Sequence, residues 1–414
     1  MPEQISEPTS EPNYAHGVYS GDGKALFWLA LRTGLLTVLT LGIYRFWAKT
    51  RIRRYIWSST GIGGARFEYT GTGLEKFLGF LMAVVILAVY LGLIQIVLFW
   101  FGMTIFATPQ SPEAALMQTV GASASGLAVL PLIFFAVYRA RRYRMARTRW
   151  RGIRFGMDKA AWGYALRAMG YWLLTILSLG LLLPLMTFRL ERYMTDRTWF
   201  GDARFRQDGR WTALYGKMKH LFIGLALIVV GIVSGTLASM HGGLIALAVI
   251  SVPVGLVWFV IGVISYRVQS FAYLARHKML MDRVAFHAHP ATKTVILTYI
   301  VGSIVLAIGL SVATGIFGGI TAALLSGLDL GASSGQVQPG MIPAIVVPVL
   351  GYILTLVAAQ AGALAAITQP ILKHYVETIT VINLPALDRV HQRAADPGAD
   401  AEGFADALDL GGAL

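Results

Sequence analysis

Three long stretches of this 414-residue chain contain neither lysine nor arginine: Phe77–Tyr138, His220–Tyr266 and Thr294–Leu372. A helix crossing a bilayer needs about 20 apolar residues, so each stretch has room for two crossings and a turn. The second is the clearest, with Leu221–Met240 and Leu244–Ile264 separated by little more than His241, Gly242 and Gly243. The other connectors are expected near Thr108–Thr119, with Pro109, Pro112 and Glu113, and near Ser326–Gly340, with Asp329. Composition agrees: 56% of residues are hydrophobic and only 14% charged, against about 25% charged in soluble domains.

A hairpin returns the chain to the side it left, so three hairpins gather everything between them on one side. That material is basic: Arg45–Lys76, Arg139–Lys159, Arg189–Lys219 and Arg267–Lys293 hold most of the 35 Lys and Arg, against 21 Asp and Glu and a net charge of +14. The positive-inside rule assigns that side, and both termini with it, to the cytoplasm. Two further apolar segments remain, Ala25–Ile43 and Gly170–Phe188. A full crossing by either would export a set of basic loops. The economical reading makes both re-entrant or interfacial, broken at Gly42 and at Gly180 near Pro184, with Arg32 opposing a lipid-exposed crossing. The competing reading is eight full crossings.

The chain also repeats itself. Leu35–Gly42 reads LLTVLTLG and Leu173–Gly180 reads LLTILSLG. A pattern R-x-x-R-Y-x4-T-x5-R-F occurs three times, at Arg51-Arg54-Tyr55-Thr60-Arg66-Phe67, Arg139-Arg142-Tyr143-Thr148-Arg154-Phe155 and Arg189-Arg192-Tyr193-Thr198-Arg204-Phe205. A degraded fourth copy is read at Tyr266-Arg267 with Phe271 and Phe286, and a fifth remnant at Lys373-His374-Tyr375 with Thr380. Spacing of i, i+3, i+4 places the two arginines and the tyrosine on one helix face. Ile43–Ser58, with Trp47, Ile52, Ile56 and Trp57 among basic residues, suits the headgroup region. Gly63–Gly73, with Phe67 and Tyr69 alternating with polar neighbours, reads as a short strand or hairpin.

The expected organisation is therefore a cytoplasmic tail over 1–20, repeat units over 21–138, 139–266 and 267–383, and an acidic, solvated tail over 384–414. The N-terminus has Glu3, Glu7 and Glu11 and no apolar core, unlike a signal peptide. At LLTVLTLGIYRFWAKTRIRRY and the Gly63–Phe67–Tyr69 stretch, the sequence resembles the YjgN-like family of bacterial inner-membrane proteins. The resemblance is strongest over residues 17–80 and extends through the repeats. It implies a bacterial cytoplasmic membrane location and carries no catalytic or binding residues with it.

Chemistry is sparse. There is no cysteine, P-loop, G-x-S-x-G or H-E-x-x-H, which leaves an enzyme without a motif and implies no cofactor. His287-x-His289 lacks supporting ligands, so no metal site is assigned. Within the apolar stretches, Gln95, Tyr299, Tyr352 and Gln360 read as interhelical hydrogen-bonding residues, and Gly231-x3-Gly235 and Ala358-x3-Gly362-x3-Ala366 as close-packing patterns. The repeated cluster is the one candidate site: Arg51, Arg54, Tyr55, Arg139, Arg142, Tyr143, Arg189, Arg192 and Tyr193. Such residues anchor any membrane protein at its cytoplasmic interface. They also suit binding an anion, most simply a phospholipid headgroup. Nucleic acid fits less well, because the interleaved aromatics match a lipid interface. The sequence thus predicts an α-helical polytopic membrane protein with six full crossings and two re-entrant or interfacial segments. Its partners are anionic membrane lipids, with a homo-oligomer or another membrane protein as further partners. A channel or transporter path between the hairpins and a membrane scaffold are the alternatives.

Overall fold

The computed structural model describes residues 13–103, 108–239, 242–326 and 341–394. Its organising element is a closed barrel of ten antiparallel strands among the described residues, ordered β1-β10-β9-β8-β7-β6-β5-β4-β3-β2. The strands are β1 (Tyr14–Tyr19), β2 (Thr60–Ile62), β3 (Ala65–Tyr69), β4 (Thr148–Trp150) and β5 (Ile153–Met157), then β6 (Thr198–Phe200), β7 (Ala203–Gln207), β8 (Lys278–Leu280), β9 (Val284–Ala288) and β10 (Ile379–Ile382). Sequence reading expected separate short β elements; it did not anticipate that they join into one ring.

Each strand pair is left by one helix and entered by another, so helical hairpins hang from the barrel. The pairs are α1 (Gly23–Leu39) with α2 (Arg45–Ser59), α3 (Gly73–Trp100) with α4 (Pro112–Ala146), and α5 (Ala161–Leu177) with α6 (Leu183–Thr195). Then come α7 (Lys219–Leu237) with α8 (Leu244–Arg276), and α9 (Thr292–Ser326) with α10 (Met341–Ala363), which runs through a π-turn into α11 (Gln369–Glu377). Six helices are long and apolar enough to cross a membrane: α3, α4, α7, α8, α9 and the α10–α11 rod. Between 11% and 22% of each one's most apolar window is buried within the protein, so the rest of that surface requires lipid. Of the expected connectors, His241 and most of Ser326–Gly340 lie outside the described residues, while α4 already begins at Pro112.

Local chemistry explains the joints. In three units the motif threonine donates back one helical turn: Thr60 Oγ1 to Ile56 O (2.9 Å), Thr148 Oγ1 to Arg144 O (2.8 Å) and Thr198 Oγ1 to Met194 O (2.8 Å). This satisfies a terminal carbonyl where the helix stops and the strand begins. Two-residue turns follow. Gly63 and Gly64 (φ +57° and +77°), like Arg151 and Gly152 (+50° and +75°), adopt the left-handed pair that matches strand twist in a tight hairpin. In the short pairs α1–α2 and α5–α6, the LLTxLxLG repeats form like tips. Gly42 (φ +93°) donates to Thr37 O and Gly180 (φ +88°) to Thr175 O, both at 2.7 Å.

Alternation along the strands fills the barrel. Laterally paired residues Phe67–Trp150, Phe155–Phe200, Phe205–Leu280 and Phe286–Val381 all enter the same apolar core. Gly17 holds the corresponding place on β1 opposite Ile62; a Cβ there would collide with the Val376 carbonyl oxygen. The far mouth is closed by a 3-10 turn, Leu384–Arg389, with Leu384, Leu387 and Val390 buried in the same core. Arg151 pairs with Asp388 at 3.0 Å and Asp202 Oδ1 accepts from His391 N at 3.0 Å. Two terminal expectations are therefore corrected. Residues 14–19 form a barrel strand instead of tail, and residues 384–393 form a lid instead of solvated chain. The acidic residues from 395 onward lie outside the described residues.

Among the long hairpins, α7 and α8 approach most closely. Gly224 and Gly231 face Phe259 and Val252, and Gly255 and Gly262 face Ile228 and Leu221, so any side chain there would strike the opposing helix. Gly362 likewise abuts Leu306. Of the four polar residues expected to bond between helices, Gln95 does, donating to Ser125 Oγ at 2.7 Å. Tyr299, Tyr352 and Gln360 instead face outward. We expect Phe200→Ala, which removes a ring wedged against Trp150 and Phe155, to cost about 3–5 kcal/mol; detergent-phase thermal unfolding reads this directly, and a melting curve like that of the unsubstituted chain contradicts the barrel core.

Candidate functional site

Strand pairing sets which residues are equivalent around the ring. Taking the first residue of β2, β4, β6, β8 and β10 as a common origin, Tyr55, Tyr143 and Tyr193 correspond to Tyr273 and His374. The fourth copy was thus placed seven residues too early at Tyr266; its arginine positions are held by Gln269 and Ala272. In the fifth copy the motif spacing from Tyr375 to Thr380 lies one residue late; the register puts His374 and Ile379 in the tyrosine and threonine places.

These aromatic positions fasten each unit to the one before. Asp22 N donates to Tyr55 Oη (2.7 Å), and that hydroxyl donates to Asp22 O (2.9 Å). Tyr273 makes the same pair of bonds with Arg210, at 2.9 and 3.1 Å. Tyr193 donates to Ala160 O at 3.1 Å, and His374 Nε2 accepts from Ala291 N at 2.8 Å. All four partners sit three residues beyond a β strand, at the entry to the next outgoing helix. Tyr143 differs by donating to Glu75 Oε2 at 2.9 Å, beside an Arg147–Glu75 ion pair at 3.1 Å. The repeated aromatic hydroxyls are therefore occupied within the fold.

The predicted arginines divide. Arg51, Arg54, Arg189 and Arg192 are exposed on α2 and α6. Arg54 reaches Gly71 O at 3.4 Å, Arg192 pairs with Asp196 at 3.4 Å, and Arg51 lies over the Tyr44 ring. Arg142 is buried and donates to Met157 O at 2.8 Å. With Arg139 it lines an open cleft of about 500 Å³ between α4 and α5, together with Lys159, Phe135, Tyr138 and Trp162. The nine residues are thus spread over three units; they do not meet in one site.

Sequence reading passed over the residue two before each tyrosine. Arg53 occupies that place on α2, buried to 2% and stacked over Trp57 and Tyr69. Arg141 and Glu191 occupy it on α4 and α6 and pair at 2.7 Å, while Lys278 of β8 reaches Glu191 at 3.2 Å. The position carries Arg, Arg, Glu, Phe271 and Leu372 around the ring, so a search for identical residues does not register it. Nor does α2 simply lie on a surface: Phe46, Thr50, Arg53 and Ile56 bury one of its faces.

Burial alone would push the Glu191 carboxyl pKa up; Arg141 and Lys278 override that and hold it well below the usual 4.5. Among the described residues no group of three or more His, Asp or Glu gathers as a metal site. His289 instead bonds Arg276. The lowered pKa fixes a pH dependence. As pH falls below about 4.5 the unfolded chain takes up the proton before the folded one, so stability present at neutral pH is lost progressively toward lower pH. Glu191→Gln should remove about 2 kcal/mol at pH 7 and flatten this acid limb; a mutant retaining the parental pH profile of unfolding contradicts the assignment.

A bacterial family described only as of unknown function, DUF898, matches residues 15–407. An inner membrane protein YjgN of Salmonella typhimurium strain LT2 is 31% identical over 160 residues, 38% of this chain and 35% of that protein. The same-named proteins of Escherichia coli O157:H7 and strain K12 are 28% and 26% identical, over 38% and 39% of this chain and 35% of each relative. In these alignments the chain thus spans about a third of the length of the curated relatives it matches. No solved structure matches it. With a match running from the first barrel strand past the lid that covers the last, the chain belongs to this DUF898 family of bacterial proteins.

Proposed function

We propose that this chain is a multi-pass protein of the bacterial inner membrane, with its barrel and both termini on the cytoplasmic side, that engages anionic phospholipid headgroups along its basic rim. The location rests on the six apolar helices and on the name of the relatives. The orientation rests on the concentration of cationic residues at the barrel end of every helical hairpin. In this reading each strand pair and its helices derive from one repeated unit.

The short hairpins α1–α2 and α5–α6 are then re-entrant. Their tips carry Leu41 and Leu179, 95% and 88% exposed, which fits immersion in acyl chains and not in water. The tip backbones are suited to that medium. Tyr44 N donates to Thr40 Oγ1 and Leu182 N to Ser178 Oγ, at 2.9 and 3.0 Å, which relieves amides that lipid cannot solvate.

The observation that carries the headgroup reading is the α4–α5 cleft, where Arg139, Arg142 and Lys159 stand with Phe135 and Trp162. Cationic and aromatic side chains together are what the phosphate and glycerol level of a leaflet accommodates. Exposed Arg51, Arg54, Arg189 and Arg192 extend that surface to the neighbouring units. A permeation path along the barrel has no support, because aromatic residues fill it and Leu384–Arg389 covers its mouth.

Changing Arg51, Arg54, Arg189 and Arg192 together to Gln should lower co-purifying phosphatidylglycerol and cardiolipin by at least half, with α-helical content retained; equal lipid by mass spectrometry defeats the proposal. A cysteine replacing Arg204 should react with an impermeant maleimide only in inverted membrane vesicles, and reaction from the periplasmic side overturns the topology.

A further inference from the structure

A cavity of about 690 Å³ lies apart from the α4–α5 cleft, between α6, α7, α8 and the helix-side mouth of the barrel. Its volume falls in the range of small-molecule sites, roughly 300–1,000 Å³. One stripe of α8 lines it at every fourth residue: Phe259, Val263, Arg267, Phe271 and Ala275. That stripe covers about 24 Å at a rise of about 1.5 Å per residue, so the chamber is long.

Its chemistry changes along this length. Leu183, Leu221, Phe259 and Val263 make one end apolar. Toward the barrel, Arg267 and the Glu191–Lys278 pair supply charged groups beside the apolar Phe271, Leu274, Phe286 and Ile379, with Arg141 bonded behind Glu191. Three cations against one carboxylate leave this end at +2. Lys278 and Glu191 satisfy each other. Arg267 is exposed, and among the described residues no carboxylate pairs with it. Phe259 is exposed as well, so the chamber communicates with the outside of the ring.

The chamber also lies where the ring departs from its own pattern. The fourth unit places Gln269 and Ala272 where three others carry arginine, and Phe271 where α2, α4 and α6 carry charge. Of these, Phe271 lines the chamber, and its α8 cation is supplied instead from Arg267.

We propose that this chamber is a binding site for an anionic amphiphile, with a phosphate headgroup against Arg267 and an acyl chain along Val263, Phe259 and Leu221. Neither part suffices alone: the apolar end excludes a bare anion's hydration shell, and the charged end disfavours a neutral lipid. The site is separate from the basic rim proposed above and does not depend on it.

The full-length protein in detergent is titrated with short-chain phosphatidylglycerol, phosphatidylcholine of the same chains, or inorganic phosphate, and occupancy is read by native mass spectrometry. With the rim arginines Arg51, Arg54, Arg189 and Arg192 changed to Gln, phosphatidylglycerol should still occupy one saturable site, and adding Arg267→Gln should weaken it about tenfold, as expected for loss of a charge-assisted contact. Arg267→Lys should restore most of the binding. Val263→Trp, which fills the apolar end, should weaken it while leaving Arg267 in place. The quadruple variant of Arg51, Arg54, Arg189 and Arg192 should keep this site, so the rim and the chamber can fail separately. Equal affinity in Arg267→Gln, equal binding of phosphatidylcholine, or inorganic phosphate binding as tightly as the lipid would each overturn the assignment.

Discussion

A sheet of short strands persists only if its edges find partners, because an unpaired row of amide and carbonyl groups is a standing invitation to mispairing. Here the strands have three to six residues each, too few to be stable as isolated hairpins. Closure solves both problems. β1 and β10, from opposite ends of the chain, pair with each other and leave no free edge among the described strands. The described helices then start from, or return to, one closed ring, which sets where the hairpins stand relative to one another.

The ring explains why the same residues recur. Threonine ends a helix and glycine turns a hairpin, while phenylalanine fills the barrel and tyrosine ties one unit to the previous one. Each is the answer to a geometric need that arises once per unit. The arginines are a looser requirement: Arg142 is buried and bonded to a carbonyl, whereas its counterparts Arg54 and Arg192 are exposed. Repetition in the sequence therefore marks the scaffold most strongly, and the places where repetition lapses mark individual chemistry.

That distinction decides how much was legible beforehand. The long helices could be read, because lysine and arginine are costly in hydrocarbon and their gaps trace the apolar passages. The helix breaks at Gly42 and Gly180 could be read too, since only glycine reaches their backbone angles without strain. Barrel closure could not. Strands of three residues carry almost no periodic signal, and the partner of β1 lies more than 350 residues away. The fourth unit was misplaced because Tyr266-Arg267 imitates the motif's composition, and only strand register reveals Tyr273 as the true counterpart. Arg53, Arg141 and Glu191 escaped notice because their shared position preserves neither charge nor shape.

The barrel's seam has a consequence for biogenesis. Four of its five strand pairs are continuous hairpins, but β1 leaves the ribosome more than 350 residues before its partner β10. Until residue 382 is synthesised, the nascent protein holds an open sheet whose first strand waits beside β2 with one side bare. All six long apolar helices are synthesised before β10 is complete, so the ring closes only after they have been made. Quality control that recognises an unzipped edge would thus discriminate finished from truncated chains without inspecting the membrane part at all.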